Sequence, residues 1–428
     1  MVCVLLGLCV FFSLVTITDQ ALTGEAAARQ VDEAVAARAP VSTAIIAVGD
    51  RPDDDTYAAA LGRRLAERGI KVAAISKGDP KAARDALAGL AASGTRVDVI
   101  ACTPASRNWL VFADLAADFP ALGAPVVVAP HPYRWPNFLK TENLLNIANQ
   151  IAVIAIIAIG MTLVIVTGGI DLSVGSLLAL AAVLTARLIR DHAGGVGAGA
   201  LGMTGCAVAA IVACGAVGAF SGLMITRFRI PPFIVTLAMM LVASGLEYTL
   251  ADGQSIYQLP DSFVRLGRGA DLGGFPNAVV LMLVLYAAAH VVMSRMKLGR
   301  HIYAVGGNAE AARLSGVPVR RVLMTVYVAS AALAGLGGVI MASQLKSGSA
   351  TYGNMYELYV IAAVVVGGAS LSGGEGRMPG TLIGAFTIAV IQNGMNLTNV
   401  ESYTQKVVLG LVILGAVLLD KLRQRGRA

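Results

Sequence analysis

One carboxylate stands where a bilayer tolerates charge least. The stretch Gly168-Gly169-Ile170-Asp171-Leu172-Ser173-Val174-Gly175-Ser176 lies between two strongly apolar runs, residues 151–166 and 177–184. An unpaired charge at mid-bilayer costs at least about 3 kcal/mol on insertion scales, so Asp171 needs a partner or a task. Glycines on both sides let the backbone turn tightly or approach another helix. In one reading Asp171 N-caps a helix starting at Leu172 and accepts from the amides of Ser173 or Val174. In the other, a broken helix lines a polar path through the membrane, and both can hold. The spelling returns near the far end of the chain: Val166, Gly168, Gly169, Leu172, Ser173 and Gly175 match Val365, Gly367, Gly368, Leu371, Ser372 and Gly374. Twin interrupted helices point to a transporter, and nominate Gly168, Gly169, Asp171, Ser173, Gly175, Ser176, Gly367, Gly368, Ser370 and Ser372 for the path or its gate.

Hydrophobic residues make up 56% of the 428 and charged residues 14%, against a soluble norm of roughly 25% charged. That composition is of a polytopic membrane protein. The net charge of +7 is unevenly placed: residues 19–135 carry −1 and the rest +8. A near-neutral soluble segment is thus joined to a basic membrane segment, whose basic loops read as cytoplasmic faces rather than as a nucleic-acid surface. Cys3, Cys9, Cys206 and Cys214 lie in apolar runs and Cys102 in the soluble segment, so no internal disulfide is implied there. The four histidines lack metal-ligand spacing, and no phosphate-binding Gly-x-x-x-x-Gly-Lys loop occurs. Any nucleotide chemistry belongs to another chain.

Residues 1–18 read as a first transmembrane helix, retained because no Lys or Arg precedes it; a cleaved signal is the alternative. Within residues 19–135, strands at 43–48, 71–75, 97–101 and 124–129 alternate with helices at 57–68, 80–92 and 105–118. Asp79 caps the second helix, with Pro80 at its first position. Such alternation implies a small parallel-sheet α/β domain, and Pro130, Pro132 and Pro136 mark its boundary. Residues 136–428 hold further apolar segments near 147–167, 173–189, 201–224, 231–250, 276–294, 322–343, 358–372, 378–396 and 404–420. The expected fold is an α-helical polytopic membrane protein of about ten transmembrane segments with an exported α/β insert. An inside N-terminus places 13 Lys/Arg in cytoplasmic loops and tail against five in the opposite short loops, and puts the insert outside. Both Gly-Gly motifs then share one side, at odds with a simple inverted repeat.

The 296–321 loop carries a short helix signal: Asn308 as N-cap, 309–315 as two turns, Gly316 as the left-handed stop and Pro318 beyond. Ala311, Ala312 and Ser315 give it a small-residue face that could sit close to a partner, or the helix stands alone. Asn146, Asn149 and Gln150, Glu247 and Tyr248, and Gln392, Asn393 and Asn396 cluster at external helix ends. There a polar solute would enter, unless these groups only snorkel or cap. Gly335, Gly337 and Gly338 read as close-packing positions, and 421–427 as a basic anchor on anionic lipid.

Residues 168–176, Ile230-Pro231-Pro232-Phe233, 299–316 and 362–374 together resemble the permease subunit of ribose/monosaccharide ABC importers, over roughly 137–424. The resemblance implies a homodimeric pore in a bacterial inner membrane and an external sugar-binding protein. It also implies a cytoplasmic ATPase docked on Gly306, Gly307, Asn308, Ala311, Ala312, Ser315 and Gly316. ATP would then act on that partner, with no cofactor on this chain. Ala238 stands where the family usually has glycine, and Gln344 where arginine is common. The insert resembles the N-terminal lobe of a periplasmic sugar-binding protein at 45–49, Tyr57, 69–72 and 97–100. One lobe cannot close on a sugar, so a docking module, a remnant and a ligand binder all stay open. The expected function is a monosaccharide permease subunit without catalytic chemistry of its own. The alternatives are a permease for an amino acid or a furanone signal, a membrane sensor that has lost transport, and a gradient-driven carrier.

Overall fold

The computed structural model describes residues 1–38 and 40–425, with side chains described through residue 418. The basic run 421–427, expected on lipid, lies outside the described side chains. The chain forms two compact units, Ile17–Pro136 and the remainder.

Helix α1 (Val2–Val15) belongs to the larger unit. Its Phe12 stacks on Phe138 at 6.2 Å between ring centres, and Thr16 accepts the Phe138 amide at 3.1 Å. The chain then enters the smaller unit through β1 (Ile17–Gln20) and leaves it through β6 (Tyr133–Pro136), which pair antiparallel with Ile17 opposite Pro136. Between them run α2 (Gly24–Ala36), β2 (Thr43–Val48), α3 (Pro52–Glu67), β3 (Lys71–Lys77), α4 (Pro80–Ala92), β4 (Val99–Cys102), α5 (Leu115–Asp118) and β5 (Val126–Val128). The sheet is parallel in the order β3-β2-β4-β5. Its central strands are apolar on both faces, as a doubly covered parallel sheet requires. Ile46 and Val48 pack with α2 and α3, while Ile45, Ile100 and Cys102 pack on the opposite side with Leu87. Asp98 accepts the amides of Ser42 and Thr43, at 2.7 and 2.9 Å; these bonds hold its carboxyl below the usual range and clamp the start of β2.

Asp79 caps α4 through the Ala82 amide at 2.8 Å, with Pro80 in the first turn. The helix expected at 57–68 begins earlier, at Pro52, where Asp54 reaches back to the Arg51 amide. No continuous helix spans 105–118: two 3-10 turns (106–108 and 110–112) precede α5. Ser106 causes part of this, because its hydroxyl donates to the Ala47 carbonyl at 2.7 Å and accepts the Thr103 amide, favouring a local turn over helix. Trp109 then adopts an extended backbone. Helix α2 was not expected, since its buried stripe is small: Ala27, Ala28, Val31 and Val35.

The larger unit continues with α6 (Thr141–Val166), α7 (Val174–His192), α8 (Ala200–Phe228), α9 (Pro232–Leu250), α10 (Arg265–Arg268) and α11 (Asn277–Arg295). It ends with α12 (Lys297–Gly307), α13 (Ala309–Leu314), α14 (Val319–Leu345), α15 (Tyr356–Val366), α16 (Met378–Leu397) and α17 (Ser402–Arg425). This is a helical polytopic membrane protein: α6, α8, α9, α11 and α14 are each long and apolar enough to cross a bilayer. Helix α6 is central, with 83% of its most apolar window buried against 22% for α9. Glycine sets the spacing around it. A Cβ on Gly160 of α6 would lie 2.7 Å from the Ser330 Cα of α14, and Gly335 of α14 rests on Cys214 of α8. Helix α15 has only 11 residues, about 16 Å at 1.5 Å per residue, roughly half an apolar bilayer core.

Candidate functional site

Residues 167–173 are not helical, and helix α7 starts at Val174 rather than Leu172. Asp171 is 2% exposed. Its Oδ1 accepts the Ser173 amide at 3.0 Å and hydroxyl at 2.6 Å, and its Oδ2 accepts the Ser330 hydroxyl from α14 at 2.9 Å. The carboxylate therefore ties an irregular segment to the neighbouring helix. Irregular backbone is tolerated at membrane depth where protein buries it, and this segment meets that condition.

The two Gly-Gly motifs, so far apart in sequence, touch. The Gly374 amide donates to the Val166 carbonyl at 2.8 Å, where α6 ends. A Cβ on Gly373 would lie 2.8 Å from the Gly306 carbonyl oxygen and 3.1 Å from the Gly168 Cα; one on Gly306 would overlap the Val166 carbonyl. Tyr303 of α12 donates to the Gly376 carbonyl at 2.5 Å. The ends of α6 and α12 thus meet the α15–α16 connection backbone to backbone. Gly168, Gly368 and Gly373 have φ of 78°, 92° and 86°, the left-handed region that glycine occupies freely. Ser370 accepts the Ser372 amide at 3.2 Å within the same turn, and Gly367 packs on Gly380 of α16.

Asn308 caps α13 through the Ala311 amide at 2.9 Å, and Gly316 has φ 83°. The helix before it, α12, was not expected; its buried face, Ile302 and Val305, is short. Ala312 is only 5% exposed and packs inward, whereas Leu314 is 75% exposed. The surface of the loop helix is therefore Ala309, Glu310, Ala311, Arg313 and Leu314, with Ser315 exposed just beyond its end. Leu314 was missed, though an apolar residue in a short polar helix was the available signal.

The polar residues expected where a solute would enter separate into several places. One cavity of about 280 Å³ is lined by Gly175 and Ser176 at the start of α7, Ser244 and Glu247 of α9, and Asn354 and Glu357 at the start of α15. Another, also about 280 Å³, gathers Gln150, Gln344 and Gln392 among isoleucines of α6. Gln344 also donates to the Asn149 carbonyl at 3.1 Å. Asn393 exchanges amide hydrogen bonds with Asn143, Asn396 accepts from Gln405, and Asn146 is exposed. Asn354 and Glu357 were missed; an acid opening the apolar run after 356 was the cue.

A discontinuous span, a glycine junction and a capped loop helix at the end of an apolar bundle describe the membrane component of a transport system. The profile of the family described as "Branched-chain amino acid transport system / permease component" matches residues 143–417, and this chain belongs to that family. It is 42% identical over 327 residues to the ribose import permease protein RbsC of Escherichia coli (strain K12), covering 75% of this chain and 99% of that protein. Identity to RbsC of Bacillus subtilis (strain 168) is 43%, over 71% of this chain and 92% of that one. The D-allose transport system permease protein AlsC of Escherichia coli (strain K12) is 34% identical, over 77% and 98%. No solved structure matches the chain. The protein is accordingly an ABC importer permease subunit, a multi-pass inner-membrane protein and not an enzyme.

Proposed function

We propose that this subunit carries ribose or a closely similar monosaccharide inward, driven by ATP hydrolysed on separate cytoplasmic ATPase chains. The observation that carries this reading is 42% identity along 99% of a ribose permease, against 34% to the D-allose protein. Sugar arrives from an external sugar-binding protein and passes between two copies of the chain. The membrane is crossed by α1, α6, α7, α8, α9, α11, α14, α15, α16 and α17, with the N-terminus inside and the insert outside; the charge asymmetry of the loops supports this orientation. The ATPase docks on α13. Its closure on ATP is transmitted by α12 to Gly306, and from there to the junction of the α6 end with the α15–α16 connection. Of the residues nominated for the path or its gate, Gly168, Gly169, Gly367 and Gly368 with Ser370 and Ser372 act as that hinge. An amino acid substrate is less well served, because among the described residues neither cavity is lined by Lys or Arg to meet a carboxylate. The insert serves as a docking or stabilising module for the binding protein.

Uptake of labelled monosaccharides with and without the gene, under ATP depletion that spares the proton gradient, tests the reading. Gene-dependent ribose uptake that vanishes with ATP supports it; uptake that survives ATP loss and falls with an uncoupler overturns it. For the docking step, Leu314→Asp should cut ATPase co-purification at least about tenfold with membrane levels unchanged, since it places a charge at an exposed apolar contact. Unchanged co-purification would remove α13 from the interface.

A further inference from the structure

The cavity at Glu247 deepens the importer reading, and rests on it. Three separate stretches converge there: the first turn of α7, the middle and end of α9, and the 350–357 segment opening α15. Glu247 is 3% exposed, lines the cavity, and its Oε2 has no hydrogen-bond partner. A carboxylate oxygen left so costs about 1–3 kcal/mol or more, an expense that a ligand's donor would relieve. Glu357 supplies a second carboxylate. It lies so close to α7 that a Cβ on Gly175 would be 2.5 Å from its Oε2, so glycine at 175 is what admits it. Met355, just before α15, holds φ 64°, a costly backbone for a side chain of its size, and this shapes the segment that closes the cavity.

Donors converge as well. Gly175 and Ser176 are the second and third residues of α7, and the first-turn amides of a helix have no acceptor within it. Asn354 adds a side-chain amide and Ser176 a hydroxyl, while the Ser244 hydroxyl bonds Glu247 at the same wall. Carboxylate acceptors beside amide and hydroxyl donors, with no cationic lining residue among the described residues, exclude an anionic solute such as a sugar phosphate. They match a molecule whose every polar group both donates and accepts. We propose that this cavity is a polyol subsite inside each protomer, where Glu247 and Glu357 accept hydroxyl protons of a monosaccharide in transit and the α7 first turn donates to its oxygens. A sugar then pauses within one subunit instead of only crossing the space between two. Glu247 is the selective element, because an unpartnered acceptor discriminates against an analogue lacking the matching hydroxyl.

The test is initial-rate uptake of labelled D-ribose and 2-deoxy-D-ribose by native-host cells carrying Glu247→Gln, Glu357→Gln or Ser244→Ala at the chromosomal locus. Membrane level and ATPase co-purification are measured alongside. Glu247→Gln should raise the KM for D-ribose about tenfold at unchanged protein level, and shrink the preference for D-ribose over its deoxy analogue. Glu357→Gln should act in the same direction, and it carries the test should Glu247→Gln fail to insert. Unchanged KM and unchanged preference in all correctly inserted variants overturn the subsite. Wild-type uptake that requires Na⁺, with the requirement lost in Glu247→Gln, also overturns it, by assigning the cavity to a cation. A wild type that imports no sugar overturns the importer reading itself, an outcome the variants cannot produce.

Discussion

The α6–α7 and α15–α16 connections share a spelling and diverge in structure. After Gly168-Gly169 the chain runs without regular structure to Ser173, and its one acid is held by Ser173 and, across the helix interface, by Ser330. After Gly367-Gly368 the chain folds back on itself through Gly373 and Gly374, both at positive φ, with Ser370 and Ser372 bonded within the turn. What they share is a meeting place, where Gly373 lies against Gly168 and Gly306. The glycines that meet there, Gly168, Gly306 and Gly373, allow three backbones through one small volume, whereas the repeated Gly175 admits Glu357 and the repeated Gly367 packs on Gly380. Sequence likeness here reports a shared steric limit more than a shared task.

The most severe way to break the comparison is Gly306→Val, which strikes both connections at once. Its Cβ would overlap the Val166 carbonyl, and backbone cannot give way as a flexible side chain can. Destabilisation on the order of 4 kcal/mol or more is expected, read as loss of membrane-inserted protein and of thermal stability in detergent. Gly307→Ala, with nothing within 4 Å of its Cβ, should leave both near wild type. Equal effects at 306 and 307 would refute the junction.

The next largest effect separates the two connections. Asp171→Ala removes the acceptor for two hydroxyls and an amide in a buried site, and should cost about 3 kcal/mol. Ser370→Ala removes the hydroxyl that accepts the Ser372 amide at 3.2 Å, a neutral bond, and should cost about 1 kcal/mol. Thermal unfolding of the purified variants measures both, and equal losses would erase the asymmetry drawn between the connections.

Much of this architecture was legible. The apolar runs at 201–224 and 231–250 became α8 and α9, because twenty-odd apolar residues in a row leave few other options. Asn308 and Gly316 also acted as read, since cap and stop depend on local backbone alone. What escaped was tertiary. The run 358–372 is helical only to Val366, because the Gly-Gly pair turns there toward α12. The inward position of Ala312 depends on what lies beneath α13, and no local periodicity in a six-residue helix reveals it. The Glu247 cavity needs residues near 175, 247 and 355 brought together, and no spacing along one segment encodes that.

The smallest effects dissect the second connection. Gly373 and Gly368 have nearly the same φ, 86° and 92°, so alanine brings similar backbone strain at either, about 1 kcal/mol. Their surroundings differ. At Gly368 an added methyl meets nothing within 4 Å, whereas at Gly373 it meets the Gly306 carbonyl oxygen at 2.8 Å. Gly373→Ala should therefore cost about 2 kcal/mol and Gly368→Ala about 1 kcal/mol, the excess being crowding at the junction rather than strain in the turn. Thermal unfolding of the two variants resolves that gap. In uptake assays Gly373→Ala should also slow transport beyond what its protein level explains, because it wedges the contact through which α12 reaches α6. If the two substitutions prove equal in both measurements, the turn is held by its own backbone alone and the glycine junction transmits nothing.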